Sequence, residues 1–311
     1  MTFPTYFDPK KSLNLFGLFD NFDFLKNLFI CNKFPKVLML SGKKGSGKST
    51  LINHLIFYIF DNKNYNEKKY EYSSNSIFYN NFSNNIFTNI IYLSGSDFQN
   101  TKIEDIRILK KKILQTAIGN KPRFIILDDV ELFSNNSLNA LLKIIEEPSK
   151  SNYFILINNK SKPLIETIKS RCLDIKVILN EEKRKVIIES LIEKFNIKTI
   201  IDLKSSQLTP GNFIKFNYFF DENKISFDGN YIDNLSILLN LYKKNKDVII
   251  IDMISFLTDN YFNHHRNKNL FPYEKVIEYK RFILEDINKF FLYNLNQNAL
   301  LNNINNKINH D

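Results

Sequence analysis

The sequence predicts an α/β chain: a parallel sheet flanked by helices in the first half, followed by helices alone. Three observations lead there. Short, continuous apolar runs alternate with helical patterns up to about Ile178, which is how strands buried on both faces of a parallel sheet read. A glycine-rich SGKKGSGKST joins one such run to a helix. From Tyr231 onward the strand-like runs give way to long helical periodicities.

In chain order, strands are expected at Lys36 to Leu40, Ile90 to Leu93, Phe124 to Leu127, Phe154 to Ile157 and Leu173 to Ile178. Asp61 to Thr88 contains NKNYNEKKYEYSSNS and NNFSNN and reads as a surface excursion or partly disordered loop. Leu138, Leu141, Leu142 and Ile145 form one apolar helix face, and Pro148 ends that helix. Glu181 to Phe195 is a further amphipathic helix. Pro210-Gly211 opens another that runs to Phe220, and Asp221 to Gly229 is a linker. Pro272 starts a helix over Glu274 to Tyr293, and the tail NNINNKINHD is expected to fray. Ile249, Met253, Phe256, Ile277, Phe282 and Leu284 are more apolar positions than a lone helix could hide, so most should build a core. A length of 311 residues leads to two or three expected domains, and the changes of pattern along the chain place them at 1–178, 179–221 and 222–311.

Composition bounds the class. Hydrophobic residues at 43% and charged residues at 24% indicate a globular chain. No apolar run approaches the roughly 18 residues of a membrane span, and MTFPTYFDPKK lacks the order of a signal peptide, so the expected location is cytoplasmic. Cys31 and Cys172 form no C-x-x-C pair, which argues against a cysteine-built zinc site and for buried, reduced thiols. His54, His264, His265 and His310 do not cluster with acids or cysteines as metal ligands would, and read as helix-surface or packing residues. The net charge of +10 favours polyanionic partners, although the pervasive Lys, Asn, Ile and Phe read as a genome-wide bias.

The chemistry begins at the glycine-rich loop. Gly42, Gly47, Lys48 and Ser49 fit G-x-x-x-x-G-K-[ST], with Gly45 as an additional glycine. Glycines let successive N–H groups turn inward as an anion nest, and the helix that follows adds its positive end. Gly42, Gly45, Ser46, Gly47, Lys48, Ser49 and Thr50 are therefore the candidate residues for binding ATP. Ser49 is one candidate ligand for Mg²⁺. The other is Asp128, which closes the apolar strand in FIILDDVE at the sheet edge where ligands gather. Asp129 follows it, in the place where an active ATPase of this type carries Glu.

Ser137 to Cys172, with NALLK, EEP and SRC in order, resembles the clamp-loader branch of the AAA+ family. Ile103 to Arg107, Leu208 to Asn212 and the segments Asn294 to Asn296 and Ala299 to Leu301 are similar to stretches of bacterial DNA polymerase III delta-prime subunits. The resemblance implies a RecA-like AAA+ parallel-sheet domain, a small helical lid and an all-helical collar. It implies a place in a hetero-pentameric ring that loads a sliding clamp onto primer–template DNA. By the same resemblance Asn159 is the sensor-1 residue, Arg171 acts in trans on a neighbour's ATP, and Asn212 stands where a sensor-2 Arg is usual. Asp129 and Asn212 together imply weak hydrolysis. Many relatives carry a four-cysteine zinc module over Asp61 to Thr88; this chain has no cysteine there, so no zinc is expected. Two rival readings are an ATP-hydrolysing motor subunit of the same loader and an unrelated solitary P-loop ATPase or kinase.

Overall fold

The computed structural model describes residues 3–95, 106, 108, 121–204, 206–227, 229–267 and 273–309. The chain divides into two compact units. One is Thr2–Ile197 with Gln207–Lys215, and the other is Lys198–Ser206 with Phe216–Asp311. The expected 179–221 segment is shared between them.

The first unit is built on five parallel strands. They are β1 (Val37–Ser41), β4 (Ile90–Ser94), β5 (Arg123–Asp128), β6 (Asn152–Asn158) and β7 (Leu173–Lys176), in the order β4-β5-β6-β1-β7. Side chains alternate along them. Leu38 and Leu40 enter a core with Leu51, Leu55 and Phe22, whereas Met39, Leu127 and Leu156 enter a second core with Leu138 and Leu141. The sheet is thus covered on both faces, as parallel sheets require. The expectation that every strand is buried on both faces fails at β7. This edge strand pairs only with β1, and Leu173 is 49% exposed.

Helices of the first unit are α1 (Phe19–Ile30), α2 (Lys48–Asp61), α3 (Ile77–Ser83), α4 (Asn135–Ile145), α5 (Glu166–Lys169) and α6 (Glu181–Phe195). Local chemistry sets their ends. Ser134 accepts from Ser137 N at 3.2 Å to open α4, Asn180 accepts from Lys183 N at 2.8 Å to open α6, and Asn196, with φ 49°, closes α6 in the left-handed region.

Asp61 to Thr88 is not a polar loop. It forms a short hairpin, β2 (Tyr65–Asn66) with β3 (Glu71–Tyr72), and then α3. Its rings build a local core: Tyr72 stacks on Phe57 at 4.4 Å, Phe78 on Phe60 at 5.7 Å, and Tyr65 on Phe22 at 5.3 Å. The Asn and Lys residues made the segment look polar, while the aromatic residues between them decide its fold. His54 is fully buried beside it; its Nε2 donates to Ser12 O, which can only accept, so Nδ1 accepts from the Tyr65 hydroxyl. Cys31 and Cys172 are free; Cys31 is exposed, contrary to expectation, because it caps the end of α1.

The second unit is helical, with α7 (Pro210–Glu222) crossing into it and α8 (Tyr231–Asn245), α9 (Val248–Asn267), α10 (Tyr273–Tyr293) and α11 (Gln297–Asn309) within it. Asn217 is fully buried and accepts from Ile200 N and Ile201 N, which fixes the 198–206 segment to this unit. Met253 is core as expected, but Ile277 is half exposed and Phe282 only half-buried; Val276, Ile283 and Ile287 carry the buried face of α10 instead. Ile277, Phe282 and Leu284 are therefore not the apolar positions that this helix buries. The tail does not fray through Asn309, since Ile304 and Ile308 are buried in α11. Of Ile103 to Arg107 only Ile106, which is buried, lies among the described residues, and His310 lies outside them. Nothing is described of the side chains of His264 and His265. Among the described residues no helix is long and apolar enough to cross a membrane, and no group of three His, Cys, Asp or Glu stands ready to hold a metal.

Candidate functional site

The carboxyl ends of β1, β5 and β6 meet at one edge of the sheet, where Ser41 pairs in register with Asn158. The loop leaving β1 turns over this edge. Gly42 must lack a side chain, because a Cβ would stand 2.5 Å from Val177 O. Gly45 and Gly47 have φ of 80° and 90°, a backbone that turns peptide N–H groups to one side. The helix α2 then starts at Lys48, with Leu51 N donating to Gly47 O at 2.9 Å.

Lys48 is 3% exposed and folds back on its own loop. Its Nζ donates to Gly42 O and Lys43 O, both at 2.9 Å. Burial pulls its pKa down to about 8, against the opposing pull of Asp128, Glu131 and Asp129. Two carbonyl oxygens therefore hold the ammonium at the loop's centre, the place an anion in the nest would meet it.

Asp128 ends β5 and is held by four donors. Ser49 Oγ donates to Oδ2 at 2.9 Å and Tyr92 OH to the same oxygen at 2.6 Å. Asp129 N donates to Oδ1 at 2.9 Å, and Asn159 Nδ2 lies 3.5 Å from it. Burial raises the carboxyl above its ordinary pKa. Ser49 and Asp128 are hard oxygen donors in direct contact at the rim of the nest, a donor set that fits Mg²⁺. Asp129, at φ 49°, accepts from Asn159 Nδ2 at 2.6 Å.

These groups floor one cavity of about 260 Å³, lined by Gly45, Ser46, Gly47, Lys48, Ser49, Thr50, Asp128, Asp129 and Asn159. Its other wall is apolar, with Tyr6, Phe7, Phe16, Ile187, Phe195 and Ile214. The structure thus gathers every predicted cavity residue but Gly42, which lies beneath the loop, and Arg171, which stands elsewhere.

The sequence profile of the family described as "DNA polymerase III, delta subunit" matches residues 20–180. The chain belongs to this clamp-loader family. The DNA polymerase III subunit delta' of Buchnera aphidicola from Acyrthosiphon pisum is 29% identical over 211 residues, 64% of this chain and 61% of that protein. The delta' subunit of the Schizaphis graminum strain is 33% identical over 164 residues, 50% of this chain and 49% of that one. The chain therefore spans about half to three-fifths of the length of these relatives. A DNA polymerase III gamma subunit-related protein of Thermotoga maritima shares the fold, with a TM-score of 0.51 at 17% identity over 91% of this chain and 96% of that one. The parallel-sheet α/β unit followed by a helical C-terminal region is thus a fold that the two proteins share.

Two positions that the resemblance singles out have these surroundings. The turn at Thr209 to Asn212 lies on the glycine-rich loop: Thr209 Oγ1 donates to Lys44 O at 2.6 Å and Gly211 N to Gly45 O at 2.9 Å. Arg171 follows α5, outside the cavity. Its Nε donates to Glu146 Oε1 at 2.9 Å, Nη2 forms an ion pair with the same oxygen at 2.7 Å, and Nη1 donates to Thr167 O at 2.9 Å.

Sequence reasoning missed two residues. Tyr92 sits in the apolar run IIYLS, and nothing local says that its hydroxyl reaches Asp128. Glu131 was visible in FIILDDVE but had no role. It is 5% exposed, and its carboxylate accepts from Asn159 N, Ser161 N and Ser161 Oγ, tying the loop after β6 to the end of β5. A buried acid among apolar neighbours was the available signal.

Proposed function

We propose that the chain is a delta-prime-like subunit of a DNA polymerase III clamp loader. It supports ATP-dependent loading of a sliding clamp onto primer–template DNA and donates Arg171 to a neighbouring subunit's ATP. Residues 222–311 act as the collar of a hetero-pentameric ring, 179–221 as the lid and 1–178 as the nucleotide domain.

The observation that carries the reading is the position of Arg171. Its guanidinium lines no part of the chain's own cavity and is 38% exposed, so it can meet phosphate only on another molecule. A guanidinium stays charged and presents paired N–H donors to phosphate oxygens. In the chain's own site, the nest of Gly45 to Lys48 binds the phosphates of ATP, and Ser49 with Asp128 holds Mg²⁺, which neutralises phosphate charge. Asn159 orients Asp129 rather than leaving it to polarise water. Hydrolysis is accordingly weak, and the loader's turnover belongs to its partners. The motor-subunit alternative draws on the intact nest alone.

The test is a loader assembled with wild-type partners and either Arg171→Ala or Arg171→Lys. Both are expected to lower clamp- and DNA-stimulated ATPase in complexes shown to be intact, by between about 10³-fold and 10⁵-fold per affected site. This chain's own ATP affinity should stay unchanged. Wild-type turnover and loading with Arg171→Ala would remove the trans-acting role.

A further inference from the structure

We propose that Glu146 is a positioning residue for Arg171: it fixes the guanidinium so that its terminal N–H groups face away from the chain. The proposal rests on the reading of Arg171 as a group that acts on a neighbour's phosphate. The two residues come from different motifs, Glu146 from the EEP that follows α4 and Arg171 from the SRC that follows α5, and lie 25 apart in sequence.

The geometry uses the guanidinium selectively. Of its five N–H donors, the one on Nε goes to Glu146 Oε1, to which Nη2 also comes within 2.7 Å as an ion pair, and one on Nη1 goes to Thr167 O. Among the described residues, at least one N–H on each terminal nitrogen makes no hydrogen bond. Two adjacent donors of this kind match two oxygens of a phosphate. Both side chains are well exposed, at 38% and 46%, so the pair contributes little to stability. What it does supply is order. An arginine side chain sweeps a wide volume about its rotatable bonds, and anchoring it at two points selects one orientation before a partner arrives. Thr167 O, at α5, supplies the second anchor from the backbone, which substitution cannot remove.

The experiment compares Glu146→Ala, Glu146→Gln and Arg171→Ala in loaders assembled with wild-type partners, sliding clamp and primed DNA. Glu146→Ala is expected to lower kcat by between about 10-fold and 100-fold, the cost of a misplaced group, with KM for ATP unchanged. Glu146→Gln keeps an acceptor oxygen in place and should recover most of that loss. Thermal midpoint and co-purification with partners should match wild type for both. Arg171→Ala separates the two readings. If it slows turnover while Glu146→Ala runs at or above the wild-type rate, positioning is wrong and the trans role stands. If Arg171→Ala itself has no effect, the trans role falls and the positioning of Arg171 falls with it.

Discussion

Asn159 Nδ2 lies 2.6 Å from Asp129 Oδ1, and the bond ties the acid that follows Asp128 to the residue proposed as sensor 1. Asp is one methylene shorter than the usual Glu, and here its oxygen is already in use. The isolated chain is therefore expected to turn over ATP well below about 1 s⁻¹. A steady-state assay with Lys48→Ala as the background control measures this; turnover near that of ordinary enzymes, abolished in the control, would contradict the expectation.

Nucleotide binding should depend on Lys48. The ammonium already sits on Gly42 O and Lys43 O, inside the nest. Removing a charged contact to phosphate typically costs about 1.5–3 kcal/mol. Calorimetry of ATP–Mg²⁺ with wild type and Lys48→Ala should show that difference, and equal affinities would count against the site.

Gly45→Ala should be destabilising. The residue has φ 80°, and a Cβ there would lie 2.5 Å from Thr209 Oγ1 and 2.8 Å from Asn212 Oδ1. Strain and overlap together predict a loss of about 1–3 kcal/mol in denaturant unfolding, with weaker ATP binding. An unchanged midpoint would mean that the Thr209 turn yields easily.

His54 should make stability depend on pH. Burial lowers its pKa to about 4, whereas in the unfolded chain it titrates near the ordinary histidine value of 6.5. Between those values the unfolded chain binds the extra proton. The contribution of neutral His54 is thus complete above about pH 6.5 and lost as pH falls toward 4, on the order of 3 kcal/mol in all. His54→Gln keeps a donor and an acceptor without the titration. Unfolding curves at about pH 7 and about pH 5 should differ more for wild type than for the variant.

A chain ending after Lys215 should fold and keep its ATP affinity, since the first unit has its own cores and the whole cavity lining. It should not assemble with loader partners. Co-purification at wild-type yield would reject the collar assignment.

Much of this was legible because the signals are local. Four of the five strands were readable from apolar runs, β7 alternates with Asp174 and Lys176, and Gly42 to Thr50 was readable from spacing alone. What escaped depends on distance. The hydroxyl of Tyr92 meets Asp128 across neighbouring strands, and Glu131 meets Ser161 across 30 residues. Tyr72 and Phe82 pack on Phe57 of α2, and Tyr65 stacks on Phe22 of α1, partners outside any local window. In α10 the period was clear, but the choice between Ile277 and Val276 as the buried position depends on neighbouring helices that no local window contains.

The bond from Gly211 N to Gly45 O joins backbone to backbone. Proline at 211 would remove the donor, and a side chain at either glycine would press on the seam itself, since a Cβ at Gly211 would stand 2.9 Å from Gly45 O and one at Gly45 2.9 Å from Asn212 N. The seam between turn and loop thus holds only while both ends stay glycine. The side chain of Asn212 is not a partner in this bond or in that of Thr209 Oγ1 to Lys44 O, so it can change while the turn stays attached to the loop.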